Sequence, residues 1–309
     1  MKHTVIFIVG PTSSGKSRVA ARLAERITGE IISCDSMQVY REMDVITQSP
    51  DSDLLSRVAH HLIREINPEE EFNAAEFTGK AEALIGSITS RGKVPIICGG
   101  TGLYVKALVD GLFSSPSKDE DLRKKFNEIA EKKGTVYLHQ MLEERDPETA
   151  SKLHPNDTRR IIRALEVYKL TGKTINDKKT TSAGIAEKYA CKRIGLKVPR
   201  KVLYDRINAN VDKMFSEGLV DEVRRLKERE LSLTAEKALG IKEVLSFLDG
   251  KTTLGGAREE LKKNTRRYAK RQMTWFRADK RIVWIDADRP VEEIVEETID
   301  KISGAGKDL

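Results

Sequence analysis

The chain has 309 residues, 39% hydrophobic and 33% charged, which excludes a disordered chain and leaves room for one large domain plus a smaller one. No apolar run approaches the roughly 20 residues of a membrane helix, and because the N-terminus is predicted to enter a strand at once, no signal peptide is expected. Cys34, Cys98 and Cys191 form no C-x-x-C pair, so a cytoplasmic location is expected, and the net charge of +7 points to a polyanionic partner where it is clustered.

Residues 4–9 form the first predicted strand, which runs straight into Gly10-Pro11-Thr12-Ser13-Ser14-Gly15-Lys16-Ser17. That run fits G-x-x-x-x-G-K-[ST], and a helix over 16–28 leaves it. Glycines let the backbone curl so that N–H groups point at phosphate oxygens, and the helix N-terminus adds partial positive charge. Lys16 offers a full charge to the terminal phosphate, and the Ser17 hydroxyl suits Mg²⁺. The loop recognises linked phosphates, not adenosine, so ATP is the default ligand but not the only one.

A second strand, 30–34, ends in Asp35-Ser36-Met37-Gln38. Ligands of open α/β sheets sit beyond the carboxyl ends of strands, so Asp35 is expected to share a crevice with the phosphate loop. Two roles stay open for it: metal ligation through water, or removal of a proton from an acceptor. Gln38 offers an amide suited to an adenine edge. His60-His61 lacks the partners of a metal site.

A helix over 73–90 and a third strand over 93–98 lead to Gly99-Gly100-Thr101-Gly102, a second glycine-rich turn. No carboxylate ends this strand and no guanine-specifying Asn-Lys-x-Asp occurs, which weakens motor-ATPase and GTPase readings and favours a kinase or group transferase. Polar stretches at 114–118 and 171–184 bracket a charged helical segment. We expect an α/β fold with a P-loop NTPase-like parallel sheet, helices on both faces, and an all-helical insertion. The core domain is placed at 1–113 and 186–309, the insertion at 114–185.

In the insertion, Asn156 or Asp157 is placed to cap a helix carrying Arg159, Arg160 and Arg163. A strand over 190–197 precedes a long helix with Leu203, Ile207, Val211, Met214 and Phe215 on one stripe. A helix over 257–278, a strand over 281–286 and an amphipathic helix follow. Between 258 and 281 ten Lys or Arg stand against three acids. Lys262, Arg266 and Lys270 are spaced by four, as are Lys263, Arg267 and Arg271, giving a wide positive face. Both clusters can neutralise nucleic-acid phosphates.

Taken in order, Gly10–Ser17, Asp35–Met43, His60–Glu65, Phe72–Phe77, Gly99–Gly111, His154–Lys173, Ala238–Leu248 and Lys270–Arg277 resemble the tRNA dimethylallyltransferase family over nearly the whole chain. The resemblance implies transfer of a dimethylallyl group from dimethylallyl diphosphate to N6 of adenosine 37, 3′ of the anticodon, by a monomer using Mg²⁺. It implies that the phosphate loop holds that diphosphate rather than ATP. Asp35 becomes the general base, Thr101 a contact to the adenine or reacting groups, and Arg206 a contact to the leaving diphosphate, with a surface ion pair as the alternative. Residues 35–38, Arg123, Arg159, Arg160, Ile161, Ile162 and Arg163, and Ala238, Leu239, Gly240, Ile241, Lys242 and Glu243 match segments that meet the tRNA anticodon stem-loop. Thr47-Gln48-Ser49-Pro50 departs from a Thr-Ala-Lys-Pro-like stretch, removing a basic residue, and the absent zinc-binding extension implies a bacterial-type member.

Three rivals share parts of this pattern. An ATP-dependent small-molecule kinase leaves the basic helix unexplained. An RNA-binding P-loop regulator makes Asp35 incidental, and prenylation of free adenine nucleotides makes both basic clusters needless.

Overall fold

A computed structural model describes residues 2–111, 119–175 and 183–304. The polar stretch at 114–118 and residues 176–182 of the second stretch lie outside them.

The chain divides into two compact units, Met1–Asp110 with Ile185–Leu309, and Gly111–Gly184. In chain order the first unit begins with β1 (Thr4–Val9), α1 (Lys16–Ile27), β2 (Gly29–Ser33), α2 (Asp44–Thr47), α3 (Ser52–Arg57) and β3 (His60–His61). It continues with α4 (Ala74–Ser90), β4 (Val94–Gly99) and α5 (Gly102–Asp110). The second unit holds α6 (Glu120–Lys133), α7 (Thr135–Glu143), α8 (Pro147–Ala150) and α9 (Thr158–Thr171). The first unit resumes with β5 (Ala190–Lys197), α10 (Arg200–Ser216), α11 (Leu219–Lys227) and α12 (Ile241–Leu248), then α13 (Leu254–Ala278), β6 (Val283–Asp286) and α14 (Val291–Ser303).

The six strands form one sheet in the order β3-β2-β4-β1-β5-β6, with every pairing parallel. The alternation within β1 shows why both faces are covered. Val5, Phe7 and Val9 enter one core, with Phe77 and Ile85 of α4 and Leu108 of α5. Ile6 and Ile8 enter the other, with Leu23 of α1 and Val295 of α14. A strand apolar on both sides needs a helical layer on each. The sheet thus puts the ends of β1, β2 and β4 side by side, where the glycine-rich turns emerge.

The second unit has its own small core, in which Phe126, Leu138, Leu142, Ile161 and Leu165 come together. Asp157 caps α9 by accepting from the Arg160 N–H. The fully buried Glu166 accepts from both the Arg123 Nε and Nη2 at 2.9 Å and from the Asp119 N–H at 3.0 Å, and it pairs with Arg163. A buried carboxylate needs this much compensation to remain charged.

The stripe on α10 faces inward, with Leu203, Ile207, Val211 and Met214 buried. On α13 the buried row is Ala257, Leu261, Thr265, Ala269, Gln272 and Phe276. The wide positive face narrows, because Lys262 pairs with Asp212 of α10 at 2.9 Å and Arg266 donates to Asn208 at 2.6 Å. Lys263, Arg267 and Arg271 stay exposed.

Candidate active site

Beyond the strand ends lies a cleft of about 1090 Å³, lined by Thr12 to Ser17, Asp35 to Gln38, Gln48, Arg206, Asn210, Tyr268, Arg271 and Gln272 among others. The phosphate loop and Asp35, expected to share a crevice, are both on its wall. Gly10 and Pro11 sit at the buried base of the loop instead. Gly15 adopts φ +90°, in the left-handed region, and turns the loop into α1. Gly15, the N-cap of α1, has no side chain to cap the helix, and Lys16, Ser17 and Arg18 of the first turn line the cleft, so the first N–H groups offer an anion cradle. Among the described residues the buried Ser14 hydroxyl has no hydrogen-bond partner, an arrangement suited to a ligand oxygen.

Lys16 donates to the Pro11 carbonyl at 2.7 Å, and burial lowers its pKa, with Cys98 and Asp35 opposing. Burial likewise raises the Asp35 carboxyl, against the Met37 N–H that donates to it at 2.9 Å and the charge of Lys16. A cation and a carboxylate, each disfavoured in its charged form, share one wall. That is the signature of a site shaped for a charged ligand.

The Thr101 hydroxyl accepts from the Ser36 N–H at 3.2 Å, and the Thr101 N–H donates to the Cys34 carbonyl at 3.2 Å. Thr101 therefore braces the turn that carries Asp35. The Gln38 amide is held too: its Oε1 accepts from Ser33 Oγ at 3.0 Å and its Nε2 donates to the Gln48 carbonyl at 3.4 Å. Ser49, standing where the resemblance expected a lysine, lines the cleft together with Gln48.

Several expected contacts fall elsewhere. Arg206 lines the cleft, but its guanidinium pairs with Asp288 at 2.9 Å, the ion-pair alternative. Ile161 and Ile162 are buried in the core of the second unit, which withdraws their side chains from any RNA. Arg123 and Arg163 are bound to Glu166, whereas Arg159 and Arg160 are exposed. Ala238 and Leu239 line the cleft, and Lys242 is exposed. Gly240, Ile241 and Glu243 are buried, and Glu243 accepts from the Gly240 N–H and from Asn264. Burial, with Asp35 and Cys98 nearby, raises the Cys34 thiol well above its ordinary value, which removes it as a nucleophile. His60 Nδ1 meets the Val58 carbonyl at 2.7 Å and His61 Nε2 meets Glu30 at 2.8 Å, so the two rings point to different partners.

Three residues that the sequence did not single out support the site. Gln272 takes the Thr12 N–H on its Oε1 at 2.8 Å and gives its Nε2 to the Gly100 carbonyl at 3.0 Å, tying both glycine-rich turns to α13. Asn210 donates to Ser13 Oγ at 3.0 Å. Glu222 accepts from the Val45 and Ile46 N–H groups at 2.9 and 2.8 Å, which fixes α2 beside the cleft. The one legible signal was a glutamine on the buried row of a helix, since a buried amide needs partners.

A parallel sheet with a phosphate loop after its central strand and a carboxylate at the end of a nearby strand defines a P-loop-like α/β protein. The IPP transferase family model matches residues 38–279. The chain is 46% identical over 287 residues to "tRNA dimethylallyltransferase" of Geobacter sulfurreducens, covering 92% of each chain. It is 46% identical over 302 residues to the protein of that name from Carboxydothermus hydrogenoformans, covering 97% of each. Among solved structures, the tRNA isopentenylpyrophosphate transferase of Bacillus halodurans superposes with TM-score 0.73 at 42% identity, covering 98% of this chain and 96% of that one. A eukaryotic dimethylallyltransferase acting on tRNA gives TM-score 0.79 at 30% identity, covering 98% and 80%. This chain belongs to the IPP transferase family.

Proposed function

We propose that the chain transfers the dimethylallyl group of dimethylallyl diphosphate to N6 of adenosine 37 in tRNA, 3′ of the anticodon, releasing diphosphate. It is a prenyltransferase by family. The observation that carries the reading to this site is the shared wall of phosphate loop and Asp35, roofed by a helix whose outer row is cationic. A small-molecule kinase has no use for that row.

In the reaction, the N6–C1 bond forms as the allylic C1–O bond breaks, and the departing electrons go to diphosphate. Adenine N6 is a weak nucleophile because its lone pair is delocalised, so Asp35 takes the N6 proton as the bond forms. The first-turn N–H groups of α1 and Lys16 hold the charge that gathers on the leaving group. When diphosphate arrives, Lys16 exchanges the Pro11 carbonyl for phosphate oxygens. Thr101 and the Met37 N–H orient the Asp35 turn.

Mg²⁺ fits the donor set. Among the described residues no group of three His, Cys, Asp or Glu gathers to hold a metal alone, and Mg²⁺ on phosphate substrates takes one or two protein oxygens with the rest from phosphates and water. Ser17 and, through water, Asp35 would supply those oxygens, and the ion would neutralise leaving-group charge. Lys263, Arg267 and Arg271, with Arg159 and Arg160 of the second unit, serve tRNA phosphates. The protein acts as a cytoplasmic monomer in this reading; among the described residues no helix is long and apolar enough to cross a membrane.

The test is incubation with total tRNA and labelled dimethylallyl diphosphate, followed by nucleoside analysis. Label is expected in N6-(dimethylallyl)adenosine, with ATP inert. Phosphoryl transfer from ATP with no use of the isoprenoid donor would overturn the proposal.

A further inference from the structure

Trp275 is left without a role by the chemistry above. It is 42% exposed, although tryptophan is a side chain whose burial would yield much apolar area. Its position continues a series: Lys263, Arg267, Arg271 and Trp275 are each four residues apart on α13, and all four are exposed. The outer row of the helix therefore runs from three cations into one aromatic ring.

The ring is also fixed in place. A Cβ on Gly102 would lie 2.1 Å from the Trp275 Cδ1 and 2.4 Å from its Nε1, so the pyrrole edge of the indole rests directly on the glycine backbone. Gly102 follows Thr101, whose hydroxyl braces the Asp35 turn. Leu103, the next residue, is 52% exposed. An exposed indole and an exposed leucine thus both stand at the second glycine-rich turn, at the end of a cationic row.

We propose that Trp275 is a stacking platform for an unpaired base of the RNA substrate, a neighbour of the adenosine that enters the cleft. The inference rests on the functional reading above and deepens it. Drawing one base out of a stacked loop strips an apolar face from the bases beside it, and an aromatic plane one helical turn beyond the cleft-lining Arg271 recovers part of that loss. Cations carry the backbone to this point and the ring receives the base, the pairing of charge and aromatic surface that single-stranded nucleic acid favours. A protein partner for the Trp275–Leu103 patch would not require the cations in register with it.

The chain contains two tryptophans, so Trp284→Phe leaves Trp275 as the sole indole. That single-tryptophan protein is titrated with an unmodified anticodon stem-loop, while anisotropy of a labelled RNA reports binding independently. Saturable quenching of Trp275 emission, with the midpoint of the anisotropy curve, is expected. In the wild-type background, Trp275→Ala is expected to weaken binding about tenfold, in the range that loss of one stacked base gives. Trp275→Phe should retain most of the affinity, whereas Trp275→Leu, apolar but not planar, should not. The salt slope should stay unchanged in all three, because stacking releases no counterions. RNA binding that leaves Trp275 emission unmoved overturns this inference alone, as does full affinity in Trp275→Leu. Absence of any RNA binding by the wild-type chain overturns it together with the functional reading.

Discussion

Asp35 is more valuable as a base than as a contributor to stability. Burial raises its folded-state pKa above the ordinary value, so the stability its protonation adds is fully present below that ordinary value and is lost as pH rises through the folded one. Above that folded-state value the ionised carboxylate is a cost to the fold. Asp35→Asn is therefore expected to melt at the same temperature as wild type or higher, while prenyl transfer falls by roughly 10²–10⁴-fold, the usual share of a general base. The acid limb of kcat/KM should lie above the ordinary aspartate range. Normal turnover in Asp35→Asn would remove it as the base. Gln272 offers a contrasting test. Gln272→Leu strands the Thr12 N–H and the Gly100 carbonyl, at about 1–3 kcal/mol for each buried group left unpaired. The KM for dimethylallyl diphosphate should rise about tenfold while stem-loop affinity holds, and initial-rate kinetics with both substrates varied would separate the two. The Asp35 position was legible from its place after a strand. The Gln272 contacts were not, since they join residues 260 and 172 positions apart and leave no local pattern.

At the scale of elements, periodicity carried most of the fold. β1 and β4 are continuous apolar runs flanked by glycine turns, and α10 repeats apolar residues at three and four, so their bounds follow from composition. β3 is two histidines long and has no period to read. α13 shows the limit of spacing alone. Two rows of cations separated by fours look equivalent in the sequence, but Asp212 and Asn208 of α10 hold Lys262 and Arg266 partly buried, while Lys263 pairs with Glu260 of its own helix and stays exposed. The expectation for RNA accordingly narrows to one row. Replacing Lys263, Arg267 and Arg271 by alanine should weaken stem-loop binding and flatten the plot of log K against log salt by about 2, given roughly 0.7 counterions per single-strand phosphate contact. Isotherms at several salt concentrations check this, and an unchanged slope would reduce the row to solubilising charge. The same logic missed Ile161 and Ile162, which matched an RNA-meeting segment while their side chains close the core of the second unit.

Across the whole molecule, one edge of the sheet is pinned by charge. Glu30 of β2 is 4% exposed. Burial alone would raise its carboxyl, but hydrogen bonds from Lys93, His61 and Arg91, at 2.9, 2.8 and 2.7 Å, hold it down at about 2. A depressed carboxylate stabilises the fold above its unfolded-state value of 4.5 and loses that contribution as pH falls through about 2. Glu30→Gln should lower the melting temperature at pH 7 by several degrees, with a smaller difference at pH 3. A difference independent of pH would assign the loss to packing instead.

The strand order also governs how the protein is made. β1 lies between β4 and β5, yet β4 ends at Gly99 and β5 starts at Ala190. A ribosome adding about 5–20 residues per second needs on the order of 5–20 s to cross that interval. Throughout it, a nascent β1–β4 pair presents an open strand edge to other chains. Rapid closure of the all-helical unit, whose contacts are local, shortens the span of unfolded polypeptide that β5 must bridge to cover that edge.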